Sequence, residues 1–133
     1  VFFPTSLVWL NVDNRHFSGT GQRIGQDGSM AVALADLNGD GAVDAFLANI
    51  FTMTEDGRSR SNIPNTVWFN DGYGNFTDSG QRLRNAESYA VISGDLNGDD
   101  FPDVVVGNRG ADEIWFNDRQ GNFKRGSQRL GAG

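Results

Sequence analysis

The sequence VWFNDGYGNFTDSGQRL (Val67–Leu83) recurs as IWFNDRQGNFKRGSQRL (Ile114–Leu130), and a divergent copy, VWLNVDNRHFSGTGQRI, spans Val8–Ile24. In each copy a Trp precedes a Gln by 13 residues. A second sequence, MAVALADLNGDGAVDAFLAN (Met30–Asn49), recurs as YAVISGDLNGDDFPDVVVGN (Tyr89–Asn108). The two sequences alternate along the chain, so together they form one structural repeat.

The repeat length follows from the spacing of equivalent aspartates. Asp36 and Asp95 are 59 residues apart, and the first complete repeat carries 12 additional residues within about 51–64, so the bare repeat is 59 − 12 = 47 residues. We therefore predict a single segment over 1–133. It consists of a half repeat (1–25, with a strand remnant over Val1–Leu10), a full repeat with the insertion (26–84) and a second full repeat (85–133).

Each full repeat contains four short apolar stretches. In the second full repeat they fall at about Ala90–Ser93, Val104–Gly107, Glu113–Asn117 and from Asn122 onward, and each is bounded by Gly, Asn or Asp. None has the 3.6-residue spacing of an amphipathic helix, whereas short β-rich runs between turn residues predict strands. A four-stranded antiparallel meander repeating every 47 residues is typical of a β-propeller blade. We predict an all-β fold of about two and a half blades.

The composition of the strands predicts where they lie in a blade. The first strand carries small residues such as Ala31, Ala33 and Ala35, which suit a crowded inner position. The third strand carries Trp68 or Trp115, which we expect to fill the gap between blades. We interpret the Trp of all three copies, Trp9 included, as a core residue. We expect the Gln-Arg pair after the fourth strand to link one blade to the next.

Composition and charge exclude several classes of protein. The chain has 133 residues and no Cys, so disulfides, thiol catalysis and zinc–thiolate sites are excluded. Its net charge is −6, with 17 acidic and 11 basic residues, which argues against nucleic acid as a partner. No apolar run is long enough to span a membrane.

Two acidic loops, DLNGDGAVD (Asp36–Asp44) and DLNGDDFPD (Asp95–Asp103), place oxygen side chains at positions one, three, five and nine. Alternate residues of a tight loop direct their oxygens to a common centre, and position seven can add a backbone carbonyl. Hard oxygen ligands without imidazole or thiolate favour calcium. The candidate ligands are Asp36, Asn38, Asp40, Ala42 and Asp44 in the first loop, and Asp95, Asn97, Asp99, Phe101 and Asp103 in the second.

Two alternatives to this calcium site are disfavoured. An acidic Asx turn without an ion would leave three carboxylates repelling one another in nine residues. An EF-hand would place a bidentate Glu at position twelve and a helix after it, but Leu47 and Val106 occupy that position within strand-like sequence. In the second loop Asp100 replaces the Gly at position six, and Asp tolerates the left-handed backbone needed there better than most residues.

DLNGDGAVDAFLAN followed by VWFNDGYGNFTDSGQRL resembles the FG-GAP/VCBS repeat, the blade type of integrin α-subunit propellers and of many secreted bacterial proteins. The resemblance implies one calcium ion in the loop between strands one and two of each complete blade, hence two ions. The half repeat has no such loop, and we expect no third site. The loops hold seven of the 17 acidic residues, so two calcium ions would bring the formal charge from −6 to −2.

The sequence offers little for catalysis. The single His, His16, aligns with Asn75 and Asn122 at a hairpin tip. Glu occurs three times, never as a spaced pair, and no phosphate-binding Gly loop precedes a helix. We predict that the chain is not an enzyme.

A ligand-binding surface is predicted on the insertion. The turns of a meander alternate between two faces, and the insertion lies opposite the acidic loops, where long loops on a rigid scaffold often carry recognition. The candidate residues are Glu55, Asp56, Arg58, Arg60 and Asn62. A tolerated surface insertion without function is the alternative.

The function predicted from these observations is a non-catalytic, calcium-binding propeller module for extracellular recognition or adhesion, with a glycan or protein ligand as in lectins. The alternative is a scaffold, targeting or self-assembling portion of a larger secreted protein or enzyme. Two and a half blades would leave blade faces bare. We therefore expect a homo-oligomer or a longer propeller chain, in a secreted or extracellular location.

Overall fold

A computed structural model describes residues 5–25 and 28–131, and within them the regular structure consists of β-strands without a helix. The strands are β1 (Ser6–Asn11), β2 (Phe17–Ile24), β3 (Ser29–Ala35), β4 (Asp44–Asn49), β5 (Phe51–Met53), β6 (Ser59–Ser61), β7 (Pro64–Asn70), β8 (Phe76–Asp78), β9 (Leu83–Asn85), β10 (Ser88–Gly94), β11 (Asp103–Asn108), β12 (Asp112–Asn117) and β13 (Phe123–Leu130). The prediction of an all-β fold is confirmed.

Eleven of the thirteen described strands form three antiparallel units in chain order, and β5 and β6 form a separate hairpin. The first unit is the pair β1–β2, the second has the order β3–β4–β7–β8 with β9 also on β7, and the third has the order β10–β11–β12–β13. The four-stranded meander predicted for the full repeats is therefore present twice. The strand predicted over Val1–Leu10 is β1 in its described part, and residues 1–4 lie outside the described residues.

Equivalent residues of the two complete units pair in the same register. Ala45 faces Trp68 across β4 and β7, and Val104 faces Trp115 across β11 and β12. The second strand of each unit lies between two others, and all six residues of β4 are buried. A strand buried on both faces favours the continuous apolar sequence seen here over polar alternation.

The apolar core lies between units. One cluster joins the second unit to the third, and its centre is the edge-to-face contact of Phe46 and Phe123, with ring centroids 5.5 Å apart. Such aromatic pairs add about 1 kcal/mol beyond the burial of their area. A second cluster joins Val8 and Ile24 of the first unit to Ala45 and Leu47 of the second. The units therefore depend on one another for a core.

The small residues of the first strand are explained by this packing. Strand β10 lies against β3 and β4, so the inner strands of neighbouring units approach closely. Ala33 is 7% exposed and belongs to the core cluster, with Ala31 and Ala35 packed beside it. The predicted crowding is therefore present around Ala33 of β3, but the small residues predicted for the same role in β10, Ala90, Ser93 and Gly94, are exposed.

The three equivalent Trp residues have different surroundings. Trp115 is 7% exposed in the core between the second and third units, and Trp68 is half-buried against the first unit. Trp9 is 57% exposed, so the prediction that all three are core residues is wrong for Trp9. No described residue covers the side of the first unit on which Trp9 lies.

The predicted link between units is made by the Gln side chains. Gln22 donates to the carbonyl of Phe76 at 2.6 Å and accepts from the amide of the same residue at 3.0 Å. Gln81 accepts from the amide of Phe123 at 2.9 Å and donates to the carbonyl of Gly121 at 2.8 Å. Each Gln thus fastens its own unit to the fourth strand of the next one.

Candidate metal loops and the insertion face

The loop 36–44 is organised by Asp36. Its Oδ1 accepts hydrogen bonds from the amides of Gly39 and Asp40 at 2.8 and 3.1 Å, and its Oδ2 accepts from the amide of Gly41 at 2.9 Å. Further along, Asp40 Oδ1 accepts from the amide of Ala42 at 2.8 Å. The sequence D-x-N-x-D-G therefore folds into a compact turn around one carboxylate.

The loop 95–103 has the same arrangement. Asp95 accepts from the amides of Gly98, Asp99 and Asp100 at 2.7 to 3.1 Å, and these bonds lower its pKa, that of Asp100 most. Asp100 stands where the first loop has Gly41, and its φ of 68° lies in the left-handed region. Asp100 therefore has the left-handed backbone that the sequence predicted for position six of this loop.

The last aspartate of each loop is buried. Asp44 is inaccessible to solvent; its Oδ2 accepts from the amide of Leu37 at 2.9 Å and its Oδ1 from that of Asn70 at 2.8 Å. Burial raises the pKa of Asp44, although the two hydrogen bonds act in the opposite direction. Asp103 makes the equivalent bonds to Leu96 and Asn117. These aspartates tie the loop to the end of the third strand.

The donor set of the loops fits calcium in its chemistry, because it contains only carboxylate, amide and carbonyl oxygens. Asp36, Asp40 and Asp44 have three, two and two hydrogen bonds respectively, so each keeps at least one of the roughly four acceptor sites of a carboxylate. In the described part of the chain, however, no three Asp, Glu or His side chains converge as a metal-holding group. The remaining ligands would have to be amide and backbone oxygens.

One carboxylate in each loop already has a partner of its own. Asp40 Oδ2 accepts from the side-chain amide of Asn38 at 3.0 Å in the first loop. In the second loop Asp99 Oδ2 lies 3.4 Å from Nε of Arg119, whose guanidinium also lies over the ring of Phe101. An incoming cation has to displace a neutral amide in the first loop and a guanidinium in the second.

The acidic loops lie on the same face as the turns between third and fourth strands. Asn117, at the end of β12, donates to the carbonyl of Leu37 at 2.8 Å, across the boundary between units. A Cβ on Gly121 would lie 2.5 Å from the ring of Phe69, so the turn approaches the preceding unit closely. The third unit therefore contacts the first acidic loop and holds it against the interface between the two units.

The predicted recognition residues lie on the opposite face, in and beside the hairpin β5–β6. Asp56 accepts from the hydroxyl of Thr54 and pairs with Arg58 at 3.4 Å, which closes the tip of the hairpin. Glu55 and Arg60 are exposed. Asn62 has a left-handed φ of 58° and donates its amide to the carbonyl of Ile50. All five residues are accessible, although Asp56 also stabilises the turn.

Sequence reasoning missed a polar pocket beside Asn62. It has a volume of about 300 Å³ and is lined by Asn62, Arg84, Asn85, Ala86, Glu87 and Arg109. Arg84 forms an ion pair with Glu113, whose side chain is buried, with 2% of the residue exposed. Burial lowers the pKa of Arg84, and the positive charges of Arg129 and Arg125 nearby lower it further. Glu113 differs from Thr66 at the same place in the second unit, so the repeat gave no signal for it.

The single His has no catalytic surroundings. The His16 side chain is 76% exposed and pairs with Asp13 at 2.7 Å within the β1–β2 turn. Asn75 and Asn122, its equivalents, also bond to an aspartate of their own turn, Asp71 and Asp118, which lie four residues earlier instead of three. The residue at this position therefore stabilises a hairpin turn.

Comparison with known proteins agrees with the resemblance seen in the sequence. The family model for the FG-GAP repeat matches residues 88–123, from the start of β10 to the start of β13. No curated protein and no solved structure matches the chain. None of the described residues forms a helix with the length and apolar character needed to cross a bilayer. FG-GAP repeats are typically non-catalytic modules of integrin-like β-propellers. The similarity to the FG-GAP repeat therefore lies in the third unit of this chain.

Proposed function

We propose that this chain is a non-catalytic, calcium-stabilised propeller module that recognises an extracellular glycan or protein. The observation that carries the proposal is the duplication of the acidic loop. Asp36 and Asp95 organise their loops through the same three amide bonds, and Asp44 and Asp103 are buried with the same partners. A feature repeated with this fidelity in two units serves each unit in the same way.

The proposed ligands of the two ions are the ten residues named from the sequence. Calcium supplies positive charge that offsets the repulsion among three carboxylates of one loop and the cost of the buried Asp44. The loop lies where the third unit contacts the second, so an ion there stabilises the contact as well as the loop. Calcium is thus structural in this proposal, and the recognition surface lies elsewhere.

The proposed recognition surface is the insertion face. Its hairpin β5–β6 stands apart from the repeat and is paired only with itself among the described strands. The polar pocket that shares Asn62 adds guanidinium and amide donors suited to hydroxyl and carboxylate groups. A secreted or extracellular location is part of the proposal, because calcium is abundant there and weak sites fill.

Thermal unfolding during a calcium titration tests the metal part. Calcium should raise the melting temperature of chelated protein, magnesium should raise it much less, and Asp40→Asn should reduce the gain. Asp71→Asn, in a turn outside the acidic loops, is the matched control and should keep the full gain. A melting temperature that does not respond to millimolar calcium would remove this part of the proposal.

Loop replacement tests the recognition part. Exchanging Thr54–Ser61 for a short Gly-Asn linker leaves the strands of the second unit intact and removes most of the candidate residues. Binding on a glycan array, measured with and without chelator, should be lost in this variant, while the calcium response is kept. Unchanged binding by the variant would exclude the insertion as the recognition surface.

A further inference from the structure

Arg84 departs from the repeat at a position where the backbone is left-handed. The other two units have Gly25 and Gly131 there, with φ of 76° and 69°, and Arg84 itself has a φ of 48°. This conformation costs free energy for every residue except Gly, because the Cβ atom comes close to the following carbonyl oxygen. Residues held in such a conformation are concentrated at functional sites, so the side chain of Arg84 requires an explanation.

The guanidinium of Arg84 reaches from the second unit to Glu113, a buried residue of β12. Arg125, on the neighbouring strand β13, lies 3.3 Å from the same carboxylate. Arg129 faces Glu113 in the register of β12 and β13 and supplies a third guanidinium. Burial lowers the pKa of Arg84, and the charges of Arg129 and Arg125 lower it further. One buried carboxylate therefore lies among three guanidinium groups, and positive charge is in excess.

The second unit has no such excess at the equivalent place. Thr66 stands where the third unit has Glu113, and Asp78 stands where it has Arg125. Asp78 pairs with Arg82 at 2.7 Å, so the charges at the end of the second unit balance each other. The basic cluster is thus an addition to the repeat at the boundary between the second and third units.

Arg84 joins this cluster to the polar pocket of about 300 Å³ that it lines together with Asn62, Asn85, Ala86, Glu87 and Arg109. Arg109 lies 3.3 Å from Glu87, and 77% of its side chain is exposed. Asn62 and Asn85 are also exposed, so their carboxamides are accessible. The pocket therefore offers guanidinium donors for an anion next to carboxamides for hydroxyl groups.

We propose that the polar pocket binds the carboxylate of an acidic sugar residue in a glycan. The forked N–H groups of Arg84 and Arg109 match a planar carboxylate in geometry, and Asn62 and Asn85 bond to the sugar hydroxyls. Glu113 holds Arg84 from the buried side. The inference rests on the proposed function, in which the insertion face recognises a glycan, and it names the class of glycan.

The lining of the pocket favours a sugar over an acidic segment of a protein. Ala86 is the single apolar residue among the six that line it, whereas protein–protein contacts depend on aromatic or large apolar anchors. A sugar needs hydrogen-bond partners at several points, and carboxamide and guanidinium groups supply them. The net charge of the chain is −6, so the attraction for an anion is confined to this basic cluster.

The test compares uronate-bearing oligosaccharides with the methyl esters of the same oligosaccharides, by titration of the full chain in calcium. The uronates should bind at least about tenfold more tightly than their esters, because esterification removes the charge and keeps the hydroxyls. Their dissociation constant should rise with the salt concentration. Arg84→Gly should weaken the binding of uronates at least about tenfold and abolish the preference over the esters.

Two further variants separate loss of the site from loss of the fold. Arg84→Gly combined with Glu113→Thr restores the residues that the repeat has elsewhere, Gly25 and Thr66, and leaves no buried carboxylate without its partner. This double variant should keep the circular dichroism of the β-fold and still bind uronates as weakly as Arg84→Gly. Arg23→Gln removes an exposed Arg of the first unit, so it controls for the loss of one positive charge and should bind uronates as the wild type does.

Three results would contradict the inference. Equal binding of uronates and their esters, or undiminished binding of uronates by Arg84→Gly, would overturn it and leave glycan recognition standing. Binding of a glutamate oligopeptide as tight as that of the uronates would overturn it in favour of a protein partner. Absence of binding to any oligosaccharide, charged or neutral, would remove glycan recognition from the proposed function and this inference with it.

Discussion

The side chain of Gln81 reaches from the end of the second unit to the backbone of Phe123 in the third, where its Oε1 accepts the amide hydrogen at 2.9 Å. Its Nε2 donates to the carbonyl of Gly121 at 2.8 Å, so one carboxamide satisfies a donor and an acceptor of the neighbouring unit. Gln22 does the same for Phe76. The repeated Gln thus makes a polar contact that recurs between units beside an apolar interface core.

Gln81→Ala should destabilise the chain by about 2 kcal/mol, because it leaves the Phe123 amide and the Gly121 carbonyl without partners. Gln128→Ala changes the equivalent Gln of the third unit, which is exposed, and is the matched control. It should change the free energy of unfolding by less than about 0.5 kcal/mol. Urea denaturation of both variants checks this. Equal effects of the two substitutions would contradict a role of the repeated Gln between units.

Gly121→Ala should cost about 2 to 4 kcal/mol, because the new Cβ combines a left-handed φ of 81° with a contact at 2.5 Å to the Phe69 ring. Gly72→Ala should cost only about 1 kcal/mol, since Gly72 has the same kind of φ but open space around its Cβ. Its equivalent Arg119 already holds a φ of 73°. Denaturant midpoints of the two variants give the comparison, and similar costs would mean that the close approach of the units is not tight.

Arg119→Ala should strengthen calcium binding at the second loop, because the guanidinium lies 3.4 Å from the Asp99 carboxylate and competes with the ion. We expect a gain of up to about fivefold, the range for an exposed pair of up to about 1 kcal/mol. Calorimetric titration with calcium measures it. Arg109→Ala, which removes an exposed Arg paired with Glu87 on the opposite face, is the control and should leave the affinity unchanged.

The pair Asp78–Arg82 should make stability depend on pH. Two hydrogen bonds of 2.7 and 3.0 Å from Arg82 lower the pKa of Asp78 below its ordinary value of 3.8. The unfolded state therefore takes up this proton first as the pH falls, so the stabilisation is present above about pH 4 and is lost below it. Because both side chains are partly exposed, its size is about 0.5 kcal/mol.

Asp78→Asn is the variant that checks this pH dependence. It should be less stable than the wild type at pH 7 and nearly equal to it at pH 2, by chemical denaturation in calcium-free buffer. Glu55→Gln, at an exposed carboxylate that makes no hydrogen bond or ion pair with the described residues, controls for the loss of a carboxylate. A constant difference between Asp78→Asn and wild type across this range would show that the charge of Asp78 contributes nothing.

The fold could be predicted from the sequence because the repeats place the same strand and turn residues at equivalent positions in two complete units. Trp68 and Trp115 with their Gln partners located the third and fourth strands, and Ala33 indicated a crowded inner strand. The sequence could not show that Trp9 is exposed, because its strand is a copy of β7 and β12, and the described residues include no unit that packs on it. Residues that differ between copies, such as Glu113, could not be predicted either, because a position that does not recur gives no repeat signal.

The acidic loops were predictable in conformation but not in their partners. The spacing of Asp36 and Asp40 indicated a tight oxygen-rich turn, and the left-handed backbone of Asp100 followed from its alignment with Gly41. The bond from Asn38 to Asp40 and the contact of Arg119 with Asp99 depend on side-chain rotamers and on a turn 20 residues away. Local sequence does not encode such contacts.

The stoichiometry of calcium binding tests the central claim most directly. Titration of chelator-treated protein, followed by calorimetry, should give two ions per chain, and one ion per chain in Asp40→Asn and in Asp99→Asn alike. The double variant should bind none while retaining the circular dichroism of the β-fold. Absence of binding to the wild type at millimolar calcium, or two ions still bound by the double variant, would contradict the assignment of these loops.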